Sequence, residues 1–162
     1  MKSEMEHGRR AQIKVKELLS DRYYIFYKGV STPGTDIVAV KEENGMALTF
    51  FVEVKATKGN LITMRQKQVN AMMRDRNRYI ERVHDSRTAL VCICNFCNRG
   101  WKAINLCDRN SANENFKIRL HDSNRLMKAS ELLPFFERLE KEIRTGGYLW
   151  SNLHAKSFSE LQ

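Results

Sequence analysis

Two prolines in 162 residues leave few obligatory breaks for helices and strands. No tract rich in Pro, Gly or Ser divides the chain, and no internal repeat or low-complexity segment is present, so linker-joined modules and repeat arrays are excluded. No apolar run approaches the roughly 20 residues of a membrane-spanning helix, and no membrane partner is expected. Met1 to Arg10 is polar and charged, without the apolar segment of a secretory signal. Four cysteines in such a chain read as reduced thiols, so the expected location is the cytoplasm. The length supports one domain with a proper core. Residues 1–147 are expected to form that domain. Residues 148–162 make a C-terminal tail with too little pattern to assign.

Acidic residues are the scarcer charge. The chain has 28 Lys and Arg against 19 Asp and Glu, a net charge of +9. An excess of that size favours a polyanionic partner, because each basic side chain near a phosphate releases condensed counterions. Charge by itself leaves a basic protein with no nucleic-acid role equally open. With 42% hydrophobic and 29% charged residues, the balance is that of an ordinary folded protein.

Periodicity gives an order of elements. Ala11, Val15, Leu18 and Leu19 form one stripe at helical spacing, predicting a helix over Gly8–Ser20. Tyr23–Tyr27 is aromatic and β-branched, as in a short strand. A loop over Gly29–Thr35 contains the turn dipeptide Pro33-Gly34. Strands are predicted over Asp36–Lys41 and Leu48–Lys55, with Asn44-Gly45 between them. Thr63 and Gln66 have capping-box spacing and are expected to open a helix to about Val83. Thr88–Asn95 is a continuous apolar run, as in a central buried strand, and Trp101–Leu106 follows as the next strand. After a polar stretch, Ser111–Ser123, a last amphipathic helix over Leu133–Arg144 would stop at Gly146-Gly147. That helix would cap the sheet or supply a dimer face. The order is helix, three strands, helix, two strands, helix: an α/β domain with a mixed central sheet flanked by helices.

The hairpin carries the chemistry. Asn-Gly suits a two-residue type I′ loop, because both residues tolerate positive φ. Glu43 then pairs with Met46, and every pair in the hairpin has residue numbers summing to 89. Asp36 therefore falls opposite Glu53, pointing to the same face. Like charges so opposed destabilise a sheet. A divalent cation of the Mg²⁺ or Mn²⁺ type, which takes carboxylate, carbonyl and phosphate oxygens, would remove the repulsion. Lys55, two residues beyond Glu53, emerges on the same face. Two carboxylates, a cation and an ammonium on one patch can bind and polarise a phosphodiester.

Gly34-Thr-Asp-Ile-Val-Ala-Val40 and Phe51-Val-Glu-Val-Lys-Ala-Thr-Lys-Gly59 resemble the signature of the PD-(D/E)XK nucleases. More narrowly, the run from Gly8 to about Leu106 resembles the archaeal Holliday-junction resolvases. The resemblance implies a single-domain restriction-endonuclease-like fold and a metal-dependent DNA endonuclease, with DNA repair or recombination as its setting. In the resolvase branch it implies a homodimer acting on branched DNA; a restriction or repair nuclease would share the same core. Asp36 and Glu53 would match the metal ligands, with the backbone carbonyl of Val54 as a further one, and Lys55 the catalytic lysine. Ser31 would match a serine close to the active site, and Gln66 or Gln68 a polar residue near the scissile phosphate. One position departs from the pattern. The resolvases carry a metal-binding Glu on the first helix, where this chain has Gln12; Glu4 and Glu6 could substitute if that helix starts earlier. The departure keeps open a non-catalytic DNA-binding or assembly protein on a nuclease scaffold.

Lys58, Arg65 and Lys67 are the expected phosphate contacts, since they follow the Glu-x-Lys strand. Cys92, Cys94, Cys97 and Cys107 invite a zinc or iron–sulfur reading. Their spacing lacks paired C-x₂-C halves, and two of them lie in an apolar strand, where free Cys behaves as a small hydrophobe. Trp101 is expected in the core.

Overall fold

An uninterrupted run of buried side chains from Ala47 to Val54 makes one strand the centre of the molecule. In the computed structural model, which describes residues 4–27, 34–106 and 115–145, that strand is β3 (Met46–Ala56). It pairs antiparallel with β2 (Ile37–Glu43). Asn44 (φ 51°) and Gly45 (φ 80°) form the turn between them, and the predicted register holds from Glu43↔Met46 to Ile37↔Val52. β1 (Tyr24–Tyr27) adds to the outer edge of β2. On the other side β5 (Ser86–Asn95) runs parallel to β3, and β6 (Trp101–Asn105) runs antiparallel to β5. The result is a five-stranded mixed sheet in the order β1-β2-β3-β5-β6. A parallel neighbour needs a crossover, and α2 (Gln66–Arg82) lies within it.

Helices cover both faces. Ala11, Val15 and Leu19 of α1 (Glu4–Ser20) and Leu132, Phe136, Leu139 and Ile143 of α3 (Leu132–Arg144) pack with Phe50, Val52 and Val54 on one face. On the other, Met72 and Met73 of α2 pack with Phe51, Leu90, Cys92 and Cys94. The α/β architecture expected from periodicity is thus the one the chain adopts. No described helix is long and apolar enough to cross a membrane.

Two expectations fail. Leu61–Met64 is not a helix entrance but strand β4, which pairs antiparallel with β7 (Phe116–Arg119), inside the stretch read as merely polar. Ile62, Met64, Phe116 and Ile118 are buried together against Phe96 and Met72, so a distant partner overrides the local capping signal at Thr63. α2 opens at Gln66 instead, where the Arg65 N–H donates to Gln68 Oε1 at 3.0 Å. The first helix also begins earlier than Gly8, at Glu4. The expected stop at Gly146-Gly147, the 148–162 tail and most of the Gly29–Thr35 loop lie outside the described residues.

Buried charges fasten the layers. Lys102 is fully buried; its Nζ donates to Asp122 Oδ1 at 2.7 Å and to the Arg119 carbonyl at 2.6 Å, fixing the end of β7 against β6. Glu140 of α3 meets Arg22 at 2.5 Å and Lys41 at 3.4 Å. For the site, the consequence lies in strand direction. β3 and β5 end where β2 and β6 begin, so Asp36, Glu53–Ala56, Asn95 and Trp101 gather at one end of the sheet.

Candidate active site

Asp36 stands one residue ahead of β2. Its N–H donates to the Val52 carbonyl at 3.0 Å. Its Oδ2 accepts from the Val54 N–H at 2.9 Å, taking the place of the ladder bond that a longer β2 would have made. Gly34 and Thr35 set the approach. Gly34 has φ +111°, a conformation that favours glycine, and the Thr35 N–H donates to Asp75 Oδ2 of α2 at 3.2 Å. Asp36 is thus held by β3, and Thr35 before it by α2.

Glu53 faces it. The two carboxyls are 4% and 6% exposed, and each perturbs the other. Lys55 Nζ lies 3.2 Å from Glu53 Oε1. No donor among the described residues reaches the buried Glu53 Oε2. Burial pushes the Glu53 carboxyl up to about 8; the Asp36 charge adds to the rise and Lys55 opposes it. Burial raises Asp36 as well, against the Val54 N–H, Lys55, a hydrogen bond with the Glu53 carboxyl and one from Gln12. Without a cation, the pair holds a proton well above the usual carboxylate range.

Two buried carboxyls side by side, once they lose that proton, suit a hard divalent cation. N–H and C=O of one strand residue point to the same side, so the Val54 carbonyl also faces the space beyond the start of β2. This donor set fits Mg²⁺ or Mn²⁺. Its charged members are two, for no group of three or more His, Cys, Asp or Glu able to hold a metal occurs among the described residues.

The trio lies in a cleft of about 700 Å³. Gln12 and Glu4 line it from α1, Thr63 and Arg65 from β4 and the turn after it, and Lys67 and Gln68 from the first turn of α2. The remaining sequence expectations distribute unevenly. The Gln66 side chain turns to Asn70 Oδ1 at 2.9 Å and its N–H to Asn115 Oδ1 at 3.1 Å; Gln68 lines the cleft in its stead. Lys58 is off the wall, in the 57–60 loop. Ser31 lies outside the described residues. Glu4 reaches the cleft because α1 starts a turn early, and it stands on the helix face of Gly8 and Gln12.

Among the described residues the cysteines join no metal-holding group of three or more ligands. Cys92 and Cys94 are buried in the core with sulfurs 3.7 Å apart, and the Cys92 thiol is pushed up by its hydrogen bond with Cys94 and by burial. Cys97 Sγ lies 3.7 Å from His7 Nδ1 on α1, and Cys107 is outside the described residues. Trp101 is in the core, as expected.

No family model matches the sequence, and no curated protein matches it. Among solved structures, the fold is similar to Archaeoglobus fulgidus Hjc, a Holliday junction resolvase from an archaeal hyperthermophile. The TM-score is 0.45 at 16% identity, over 74% of this chain and 96% of that one.

Proposed function

We propose that this chain is a metal-dependent endodeoxyribonuclease of the PD-(D/E)XK type, with a restriction-endonuclease-like fold. The observation that carries the reading is the buried pair Asp36 and Glu53 at one end of the sheet, hydrogen-bonded to each other, with Lys55 3.2 Å from Glu53. Two acids opposed in this way raise the free energy of the empty site. Such an arrangement is explained by a ligand that needs both.

Asp36, Glu53 and the Val54 carbonyl would hold Mg²⁺ or Mn²⁺. When bound, the cation supplies Lewis-acid polarisation of a phosphoryl oxygen and neutralises the carboxylate pair. Lys55 keeps an ammonium beside the reacting phosphate, where it orients the attacking water and offsets charge that develops on the phosphoryl oxygens. Arg65 and Lys67 bind phosphates flanking the scissile one, and Lys58 extends that contact. Gln12 holds Asp36 in place through its amide. Gln68 offers a polar contact at the same wall, and Ser31 is proposed to lie close by. Branched DNA as substrate, a homodimer as the working unit, and repair or recombination as the setting follow from the sequence resemblance to the resolvases.

One observation favours a second reading. Gln12 brings no charge where the resolvases place a Glu, which lowers the charge available for a cation. On that reading the chain is a DNA-binding or assembly protein that keeps the scaffold. End-labelled four-way junction and linear duplex, incubated with Mg²⁺, Mn²⁺ or EDTA, separate the two. The nuclease gives metal-dependent cuts that Glu53→Ala abolishes, with the junction cut in preference. Binding without cuts under every metal condition supports the scaffold.

A further inference from the structure

A second concave surface opens at the same end of the sheet, where β5 ends and β6 begins. It encloses about 480 Å³, and its walls include Arg99 and Trp101 with Arg125, Lys128 and Glu131 from the segment ahead of α3. That segment is fixed to the sheet. Trp101 and Met127 exchange backbone hydrogen bonds at 2.8 and 2.7 Å. Gly100, at φ +144°, lets Leu126 approach so closely that a Cβ there would lie 2.7 Å from Leu126 Cγ. Exposed Arg125 and Lys128 therefore flank a pinned pair of residues.

The two concave surfaces are mechanically joined. The Arg99 guanidinium donates to the carbonyls of Lys58 and Gly59 at 2.8 and 2.5 Å and to Asn60 Oδ1 at 2.6 Å. It thereby ties the 57–60 loop, which leaves the active-site strand, to the turn beside the second cavity. Neighbouring strands lie ~4.8 Å apart, so β6 is about 10 Å from β3. Successive charges on one DNA strand are about 3.4 Å apart along the helix axis, which makes that offset about three nucleotides. Arg99, Arg125 and Lys128 line the cavity with a single carboxylate, Glu131, which accepts from the Arg125 guanidinium at 2.5 Å and from the Lys128 backbone N–H at 2.9 Å. An anion is the complementary ligand.

We propose that this second cavity seats the phosphodiester backbone of the same DNA molecule, about three nucleotides from the scissile phosphate. Arg125 and Lys128 make the contacts, and Arg99 holds the two cavities in register. The inference rests on the nuclease reading of the first site and adds a footprint to it.

The test is fluorescence anisotropy of a labelled 30-mer duplex over a series of KCl concentrations, in EDTA so that no cutting occurs. The pair Arg125→Ala and Lys128→Ala should reduce the slope of log K against log salt by about 2, since each phosphate contact contributes about 0.9. Glu131→Gln keeps an acceptor for the Lys128 N–H and should tighten binding severalfold. Opposite signs in these variants, with unchanged thermal melting, support the seat. An unchanged slope in the double variant, where Lys67→Ala does lower it, overturns the seat and leaves the nuclease reading standing. No DNA binding by the wild type overturns both.

Discussion

The fold changes the protonation of Glu53. Its carboxyl moves from an ordinary 4.5 to about 8, through burial and then through the charge on Asp36. A raised pKa means that the folded chain binds a proton the unfolded chain has already lost. The stability this contributes is fully present below about pH 4.5 and is lost as the pH rises through about 8. In EDTA, the melting temperature of the wild type relative to Glu53→Gln should therefore fall between pH 5 and pH 8.5. A difference that stays flat over that range would show that Glu53 is not held protonated. The same proton opposes a cation, so Mn²⁺ affinity should rise with pH over the same interval. Lys55 keeps both options open, because its ammonium lowers the cost of the second carboxylate charge without removing it.

At the scale of elements, the site depends on how the chain enters β2. Gly34 sits at φ +111°, and a Cβ there would lie 3.0 Å from the Asp75 oxygen that holds the Thr35 N–H. Gly34→Ala should lower unfolding stability by about 1–3 kcal/mol, the usual cost of such backbone strain. Urea denaturation measures it, and an unchanged midpoint would mean that the entry is free to adapt. The hairpin was legible beforehand because its signals are local: Asn44-Gly45 with positive φ, and a period of two that holds the register from Glu43↔Met46 to Ile37↔Val52, one residue short of Asp36. The same local logic failed at Thr63, where β4 finds its partner β7 far along the chain and no neighbouring residue announces it. Asp75 was also invisible, since its contact with Thr35 exists only once α2 has crossed the sheet. The resemblance left Gln66 or Gln68 open; two positions apart on a helix they point about 200° from each other, and it is Gln68 that lines the cleft.

Across the whole molecule, parallel β3 and β5 bring the two acids, the lysine and several basic side chains to one end of the sheet, and the net charge of +9 favours a polyanionic partner. On the proposed nuclease reading, binding and chemistry are separable: phosphate contacts would set affinity and the buried acids the rate. The most direct test is the single-turnover cleavage rate of a duplex or junction in Mn²⁺, measured with the dissociation constant in EDTA, for wild type, Glu53→Gln and Lys55→Ala. The nuclease account predicts rates lowered by about 10²-fold or more in both variants, the usual scale for removing one such electrostatic group, with affinity changed only severalfold. Cleavage by either variant at the wild-type rate would contradict it.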